Sequence, residues 1–248
     1  INQGEAMALI RVKSIDNLEL PNRPIYYGSN SYIYEYQEKY FKLFHPALMD
    51  LEVKNNKNRL MILKTLMDNK IFRYLILPED IYVTDLSFLG YTMPICLGKP
   101  LDTFLDTTSY KMVIAALKDL LSEIEKLSNL GLFNPDIWSD NVLFDGKKFY
   151  LIDLDNSYFY DDRMTAYRSM GFTLFNLVLD KIVEIDNFYL WNDIDINYMR
   201  KEIECLNRDD YIDYLNLIIF KLERISSKKL ENVGDIRAAL KLSLGRSY

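Results

Sequence analysis

The stretch FNPDIWSDNVLFDGKKFYLIDLDNS, Phe133–Ser157, joins two short apolar runs to several acidic side chains. The runs NVLF and FYLI flank Asp145-Gly146, a dipeptide that favours a hairpin turn between strands. Such a hairpin would return Asp153, which follows the second run, to the side of Asn141, which begins the first. A polar loop that starts at Asp136 precedes the hairpin. The pattern predicts short strands that collect acidic and amide side chains in one place.

The composition limits the classes of protein to which the chain can belong. Hydrophobic residues make up 49% of the 248 residues, enough for one large domain or two lobes. The net charge of −6 argues against binding to nucleic acid backbones, which requires clustered cations. Cys96 and Cys205 are too few and too far apart for a disulfide framework or a zinc site, and a cytoplasmic location is expected. No run reaches the roughly 18–20 apolar residues of a membrane helix, and no signal peptide or membrane span is expected.

The first part of the chain has the pattern of a small sheet. The runs PIYYG, YIYEY and EKYFKLF alternate or end in turn residues, which is typical of strands. A helix is predicted over 46–69, where leucines recur at three-residue steps. The runs DIYVTD and FLGYTMPIC predict two more strands. Residues 1–96 are therefore expected to form a small sheet with one helix.

The pattern changes to helices after a boundary near Cys96 to Lys99. A helix that Thr108 or Ser109 can cap is expected to end at Gly131. Residues 169–185 are apolar on nearly every side, which predicts a buried helix. The runs INYMRKEIECL, DYIDYLNLIIFKLERI and GDIRAALKLSL predict amphipathic helices. The expected fold class is α+β, with a sheet-rich lobe over residues 1–96 and a larger, mainly helical lobe over residues 97–248.

The order of these features resembles the protein-kinase-like fold. A glycine turn, a strand lysine, a helix, two strands and a further helix precede Asp136-x-x-x-x-Asn141, and Asp153 follows a short strand. The resemblance covers about Pro24 to Leu179. It implies two lobes, with a small antiparallel sheet in the first, and transfer of the ATP γ-phosphoryl group to a hydroxyl. It also implies that Asp136 orients the acceptor, while Asn141 and Asp153 hold Mg²⁺.

The resemblance also implies residues that contact the nucleotide phosphates. Lys42, on the alternating run YFKLF, would contact the α- and β-phosphates, and an edge-strand lysine is the alternative. Glu52 is chosen as the helix glutamate that pairs with Lys42, against a solvated acid at a helix start. Gly28, Ser29 and Ser31 would let backbone N–H groups approach phosphate, although the family often has three glycines there. An ordinary hairpin turn is the alternative.

The connector GYTMPICLGKPL would hold the adenine. By the same resemblance, Met93 closes the back of the pocket, Pro94 supplies a carbonyl oxygen and Cys96 supplies an N–H. An edge strand that ends at Pro94 is the alternative.

Some positions depart from the family pattern. Asn134-Pro135 replaces the His-Arg that precedes the catalytic aspartate. Trp138 stands where protein Ser/Thr kinases carry a lysine, and DIWSDN is similar to DLWSGN of fructosamine-type kinases. No Ala-Pro-Glu follows DLDNS, and the short segment before the buried helix leaves little platform for a peptide substrate.

These features leave three functions open. The leading expectation is a divergent, bacterial-type protein Ser/Thr kinase that uses ATP and Mg²⁺ and acts on a protein hydroxyl. The first alternative is a small-molecule kinase for a sugar, amine or aminoglycoside-type acceptor. The second is a pseudokinase that serves as a nucleotide-binding or interaction module. Retention of Lys42, Asp136, Asn141 and Asp153 together argues against the last.

Overall fold

The computed structural model describes residues 8–101, 106–183 and 208–244. These residues form an α+β structure, as predicted, which divides into two compact units. The first unit contains the described residues up to Phe72, with Ile76–Leu97 and Asp153–Tyr158. The second contains Arg73–Leu75, Gly98–Ile152 and the described residues from Phe159 onward. The helix predicted for INYMRKEIECL lies outside the described residues.

The first unit is built on a six-stranded sheet. Its strands are β1 (Ala8–Arg11), β2 (Tyr26–Tyr27), β3 (Ser31–Tyr36), β4 (Lys39–Phe44), β5 (Asp80–Val83) and β6 (Phe88–Met93). The spatial order is β1-β5-β6-β4-β3-β2. Neighbouring strands are antiparallel except β1, which runs parallel to β5. The five strands predicted from the sequence are confirmed, and β1 is an addition to them.

The two faces of this sheet have different side chains. A hydrophobic cluster on one face contains Phe41 and Leu43 of β4, packed with Leu18, Tyr82 and Leu89. Because side chains alternate along a strand, Lys42 points to the opposite face, as Phe44 does. Both are buried there. The alternation of β4 therefore places one lysine inside the unit.

Helix α1 (Lys54–Asp68) begins later than predicted. Pro46–Leu48 forms only a 3-10 turn, and the next residues pair with the segment before β6. Phe88 N donates to Met49 O at 2.7 Å, and Leu51 N donates to Leu86 O at 2.9 Å. The prediction of a helix from residue 46 was wrong because these residues form long-range backbone bonds in place of helical ones.

The second unit is mainly helical. Its elements are β7 (Lys99–Pro100), α2 (Tyr110–Asn129), β8 (Leu132–Phe133), β9 (Val142–Phe144), β10 (Phe149–Leu151), α3 (Arg163–Val183), α4 (Arg208–Ser226) and α5 (Val233–Leu244). The chain enters α3 after a short strand, β11 (Tyr158–Phe159). Helix α2 packs against α3 and α4, and α3 packs against α5. Ser109 is the N-cap of α2, and Gly131, with φ 74°, follows its C-terminus, as predicted.

The predicted hairpin is present. Strands β9 and β10 pair antiparallel, with Val142 opposite Leu151. The Asp145 carboxylate accepts hydrogen bonds from the backbone N–H groups of Lys147 and Lys148 at 2.8 and 2.7 Å, which fixes the turn. β7 pairs with β9 as a third strand. Asp153 lies two residues beyond the end of this hairpin.

Candidate functional site

Lys42 is a buried cation in the first unit. β4 lies between β3 and β6, so Lys42 has a strand on each side. Its ammonium contacts the carboxylate of Asp153 and donates to Asp155 Oδ1 at 2.7 Å. The Lys42 side chain is 6% exposed. A buried ammonium requires an anionic partner, and two aspartates from one short segment provide it.

Asp155 is the most enclosed acid of this group. Its side chain is 2% exposed, and it accepts hydrogen bonds from Lys42 and from the Tyr91 hydroxyl, the latter at 3.1 Å. Arg59 of α1 approaches from the other side, with its Nε 3.5 Å from Asp155 Oδ2. Asp155 therefore has a strand lysine and a helix arginine as partners. Sequence reasoning did not single out Arg59 or Asp155, and the second aspartate of DLD was the signal for the latter.

Asp153 differs from Asp155 in conformation and exposure. Its backbone is left-handed, with φ 64° and ψ 53°, a region that glycine favours and that asparagine and aspartate adopt more often than other residues. Such conformations persist where the surroundings impose them, often at functional sites. The side chain contacts Lys42 and is 33% exposed, so Asp153 is the more accessible of the two aspartates.

Burial and neighbouring charges shift the pKa values of the two aspartates in opposite directions. Burial, and then the charge of Asp155, raise the pKa of Asp153 to about 7. Burial alone would also raise the pKa of Asp155, but Lys42, a hydrogen bond from Asp153 and Arg59 outweigh it and lower the pKa to about 2. Burial would lower the pKa of Lys42, but the two carboxylates outweigh it and raise the pKa. Lys42 and Asp155 therefore form the charged pair, and Asp153 takes up a proton first.

Glu52 does not have the predicted role. It is exposed, lies two residues before α1, and its backbone N–H donates to Asp50 Oδ1 at 2.8 Å. The acids that contact Lys42 among the described residues are Asp153 and Asp155. The prediction of a Lys42–Glu52 pair was wrong because α1 begins only after Glu52.

Asp136 and Asn141 belong to the second unit, where the structure brings them together. Asn141 Nδ2 donates to the backbone oxygen of Asp136 at 2.9 Å, and the Asp136 N–H donates to Asn134 Oδ1 at 2.9 Å. Asn134 is buried. Ile152 N donates to Asn141 O at 2.9 Å, which attaches the loop to the end of the hairpin. Asn134 was noted in the sequence only as a replacement, and the structure gives it a tethering role.

The predicted phosphate turn is a tight connection between β2 and β3. Gly28 N donates to Ser31 O at 2.9 Å. A Cβ on Gly28 would lie 3.1 Å from that oxygen, so the position favours glycine. Ser29 is exposed, whereas Ser31 is buried. The Gly28 N–H is thus engaged within the turn, as in the ordinary hairpin turn that is the alternative, and contact of this turn with phosphate stays a prediction.

The predicted adenine connector follows β6 in the first unit. Met93 is the last residue of β6 and pairs with Tyr40. Pro94 follows outside the strand, as expected for a residue without a backbone N–H. Met93, Pro94 and Cys96 are each partly exposed.

Asp153 in the first unit and Asn141 in the second each carry side-chain oxygens, the kind of ligand atom that Mg²⁺ takes. In the described ranges no group of three or more His, Cys, Asp or Glu side chains could enclose a metal. Mg²⁺ usually takes one or two carboxylates and completes its shell with water and substrate phosphate. Asp153 offers an accessible carboxylate. Because Asn141 donates a hydrogen bond through Nδ2, its remaining side-chain ligand atom is Oδ1.

Comparison of this chain with family models and with curated proteins gives no match. In the described part of the chain, no helix has the length and apolar character that would let it cross a membrane.

Proposed function

We propose that this protein is an ATP-dependent phosphotransferase of the protein-kinase-like fold, which transfers the γ-phosphoryl group to a hydroxyl, in the first instance of a protein. The observation that carries the proposal is the contact between Lys42 and Asp153. These residues are 111 positions apart and were selected from the sequence for complementary roles toward nucleotide phosphates and their metal. The alternative, a lysine on an edge strand, predicts no contact between Lys42 and that aspartate.

The order of the elements gives further support. The glycine turn, the lysine strand β4, helix α1 and strands β5 and β6 follow one another in the first unit. Helix α2, the Asp136 loop and the β9–β10 hairpin follow in the second. This is the chain order that the resemblance implies.

Each residue has a defined part in the proposed reaction. Lys42 stays protonated and stabilises negative charge on the nucleotide phosphates. Asp153 and Asn141 would hold Mg²⁺, which would supply positive charge to neutralise the phosphate oxygens. Asp136 orients the acceptor hydroxyl and accepts its proton. Asn134 and Asn141 keep the Asp136 loop in position through their hydrogen bonds.

Labelled ATP tests the proposal. We expect transfer of the γ-phosphoryl label in the presence of Mg²⁺, and a loss of at least about 100-fold in Asp136→Ala and Asp153→Asn. The exposed acid Asp161 supplies a matched control, Asp161→Asn, which should keep the rate. The protein is incubated alone, with a generic protein substrate, and with a panel of sugars and amines. Failure of the folded wild type to label any acceptor contradicts the proposal, and nucleotide binding without transfer supports a binding module.

A small-molecule acceptor is the second candidate. Trp138, two residues after Asp136, is 63% exposed where protein kinases carry a lysine. Helix α3 begins at Arg163, ten residues after Asp153, which leaves a short segment for peptide binding. An exposed indole suits the apolar face of a sugar or another ring. Label on a member of the small-molecule panel, with none on protein, would favour this candidate.

A further inference from the structure

Helix α1 was expected to present a glutamate to Lys42. It instead presents an arginine, Arg59, to Asp155, which contacts Lys42. The only acid of α1 is Asp68, its last residue. Arg59, in the second turn, instead contacts Asp155 with its guanidinium. Its Nε lies 3.5 Å from Asp155 Oδ2 and donates to the Asp155 backbone oxygen at 3.3 Å, while its Nη2 donates to Asn156 Oδ1 at 3.3 Å.

These contacts make a continuous chain of charges from β4 to α1. Lys42, Asp155 and Arg59 alternate in sign, and their side chains are 6%, 2% and 12% exposed. The ring of Phe44 lies beside both cations, with its centroid 5.6 Å from Lys42 Nζ and 5.0 Å from Arg59 Cζ. Two buried cations this close need a shared counter-charge. Asp155 supplies it and also accepts a hydrogen bond from Tyr91.

We propose that Arg59 and Asp155 are positioning residues for Lys42, and that Arg59 acts through Asp155. This inference rests on the proposed function. In the family pattern this helix holds the lysine through a carboxylate of its own. Here α1 holds Lys42 through Asp155, which lies on the segment after Asp153. Helix α1 therefore contributes a positive charge to the site, where the family pattern has a negative one.

The two aspartates are suited to different tasks. Asp153 is one-third exposed and is the expected metal ligand, so it would have to divide its carboxylate between the metal and Lys42. Asp155 is enclosed by Lys42, Tyr91 and Arg59, and can hold the lysine throughout. Arg59 and Asp155 also line a cavity of ≈ 270 Å³, so water can occupy the space left by a shorter side chain at position 59.

A double-mutant cycle tests this coupling. The Kd for Mg-ATP and the kcat for label transfer are measured for Arg59→Met, Asp155→Asn and the double variant. Each single change should weaken Mg-ATP binding roughly 10- to 100-fold, as loss of an orienting partner does, with a smaller effect on kcat. Because Arg59 acts through Asp155, Arg59→Met should have little further effect in the Asp155→Asn background.

Two variants of α1 serve as controls. Arg59→Lys keeps the positive charge and should recover most of the affinity that Arg59→Met loses. Lys57→Met removes an exposed cation from the same helix and should bind Mg-ATP as the wild type does. If Asp155→Asn does not fold, the comparison of Arg59→Lys with Arg59→Met decides the question.

The outcomes separate this inference from the proposed function. Wild-type protein that binds no Mg-ATP would contradict the proposed function itself. Wild-type binding that is lost in Lys42→Met but unchanged in Arg59→Met would overturn the inference and leave the function standing. Additive losses in the double variant would show that Arg59 acts independently of Asp155, which would also overturn it.

Discussion

Lys42 carries one positive charge between two carboxylates whose burial is unequal. Asp155 is enclosed and has Arg59 as a second cationic partner, so it keeps its charge. Asp153 is nearer to solvent, but it faces Asp155 as well as Lys42, and its protonation relieves the repulsion between the two acids. The group therefore has a stable charged pair and one acid that can change its state.

Replacing Lys42 should destabilise the protein most at neutral pH. In Lys42→Met the buried Asp155 and the partly exposed Asp153 lose their nearest cation, which should lower the free energy of unfolding by about 3–5 kcal/mol at pH 7. Because the folded pKa of Asp155 is below its usual value of 3.8, its contribution is present above pH 4 and is lost as pH falls toward 2. Urea denaturation at pH 7 and pH 2.5 should show a smaller difference between variant and wild type at the lower pH, because only the lower pH lies inside the window in which Asp155 takes up its proton. A difference that grows on acidification would contradict this.

The raised pKa of Asp153 predicts the opposite dependence. Its folded pKa of about 7 exceeds the usual 3.8, so the folded state retains a proton that the unfolded chain has lost. The stability from this group is complete below pH 3.8 and is lost as pH rises through 7. Metal-free wild type should therefore lose stability relative to Asp153→Asn between pH 5 and pH 8.5, measured by urea denaturation. An unchanged difference between the two proteins at these pH values would refute the assignment.

At the scale of elements, the sequence predicts those features that depend on local pattern. Alternation identified β3 and β4, and the Asp145-Gly146 turn identified the β9–β10 hairpin. The start of α1 was missed because Met49 and Leu51 bond to residues 86–88, which no local period reveals.

The same distinction applies to the site. Lys42 and Asp153 were identified by spacing along the chain, and the structure brings them into contact. The choice of Glu52 failed, and Arg59 was missed, because a buried ion pair depends on which helix face meets which segment. A helix without a suitable acid in its first turns is the sequence signal that Lys42 needs another partner.

The close approach of β4 and β6 depends on Gly90. A Cβ at this position would lie 1.9 Å from the backbone oxygen of Lys42, so Gly90→Ala must push the two strands apart. We expect a loss of about 3 kcal/mol or more in unfolding free energy, together with weaker Mg-ATP binding because Lys42 is displaced. Gly146→Ala is the control, since it has open space and only the strain of φ 94°, which costs roughly 1–2 kcal/mol. Equal losses in both variants would show that contact with β4 is unimportant.

At the scale of the whole molecule, each compact unit is assembled from separate parts of the chain. The segment Asp153–Tyr158 belongs to the first unit, although the hairpin that precedes it belongs to the second. Lys42 thus obtains both of its carboxylates from a segment that follows it by more than 100 residues. The sequence predicts one boundary near residue 96, where the pattern changes from strands to helices. That change cannot reveal that a later segment, Asp153–Tyr158, belongs to the first unit.

Binding of Mg-ATP should stabilise the whole protein, because a ligand that binds only the folded state adds to its stability. At a free Mg-ATP concentration 100 times Kd the gain is about 2.7 kcal/mol, which should raise Tm by roughly 5–10 °C. Asp153→Asn should lose the part of this shift that requires Mg²⁺, since the variant lacks the accessible carboxylate, whereas Asp161→Asn should retain it. Thermal denaturation with ATP and Mg²⁺, and with ATP and a chelator, measures the difference. Equal shifts with and without Mg²⁺ in the wild type would exclude Asp153 as a metal ligand.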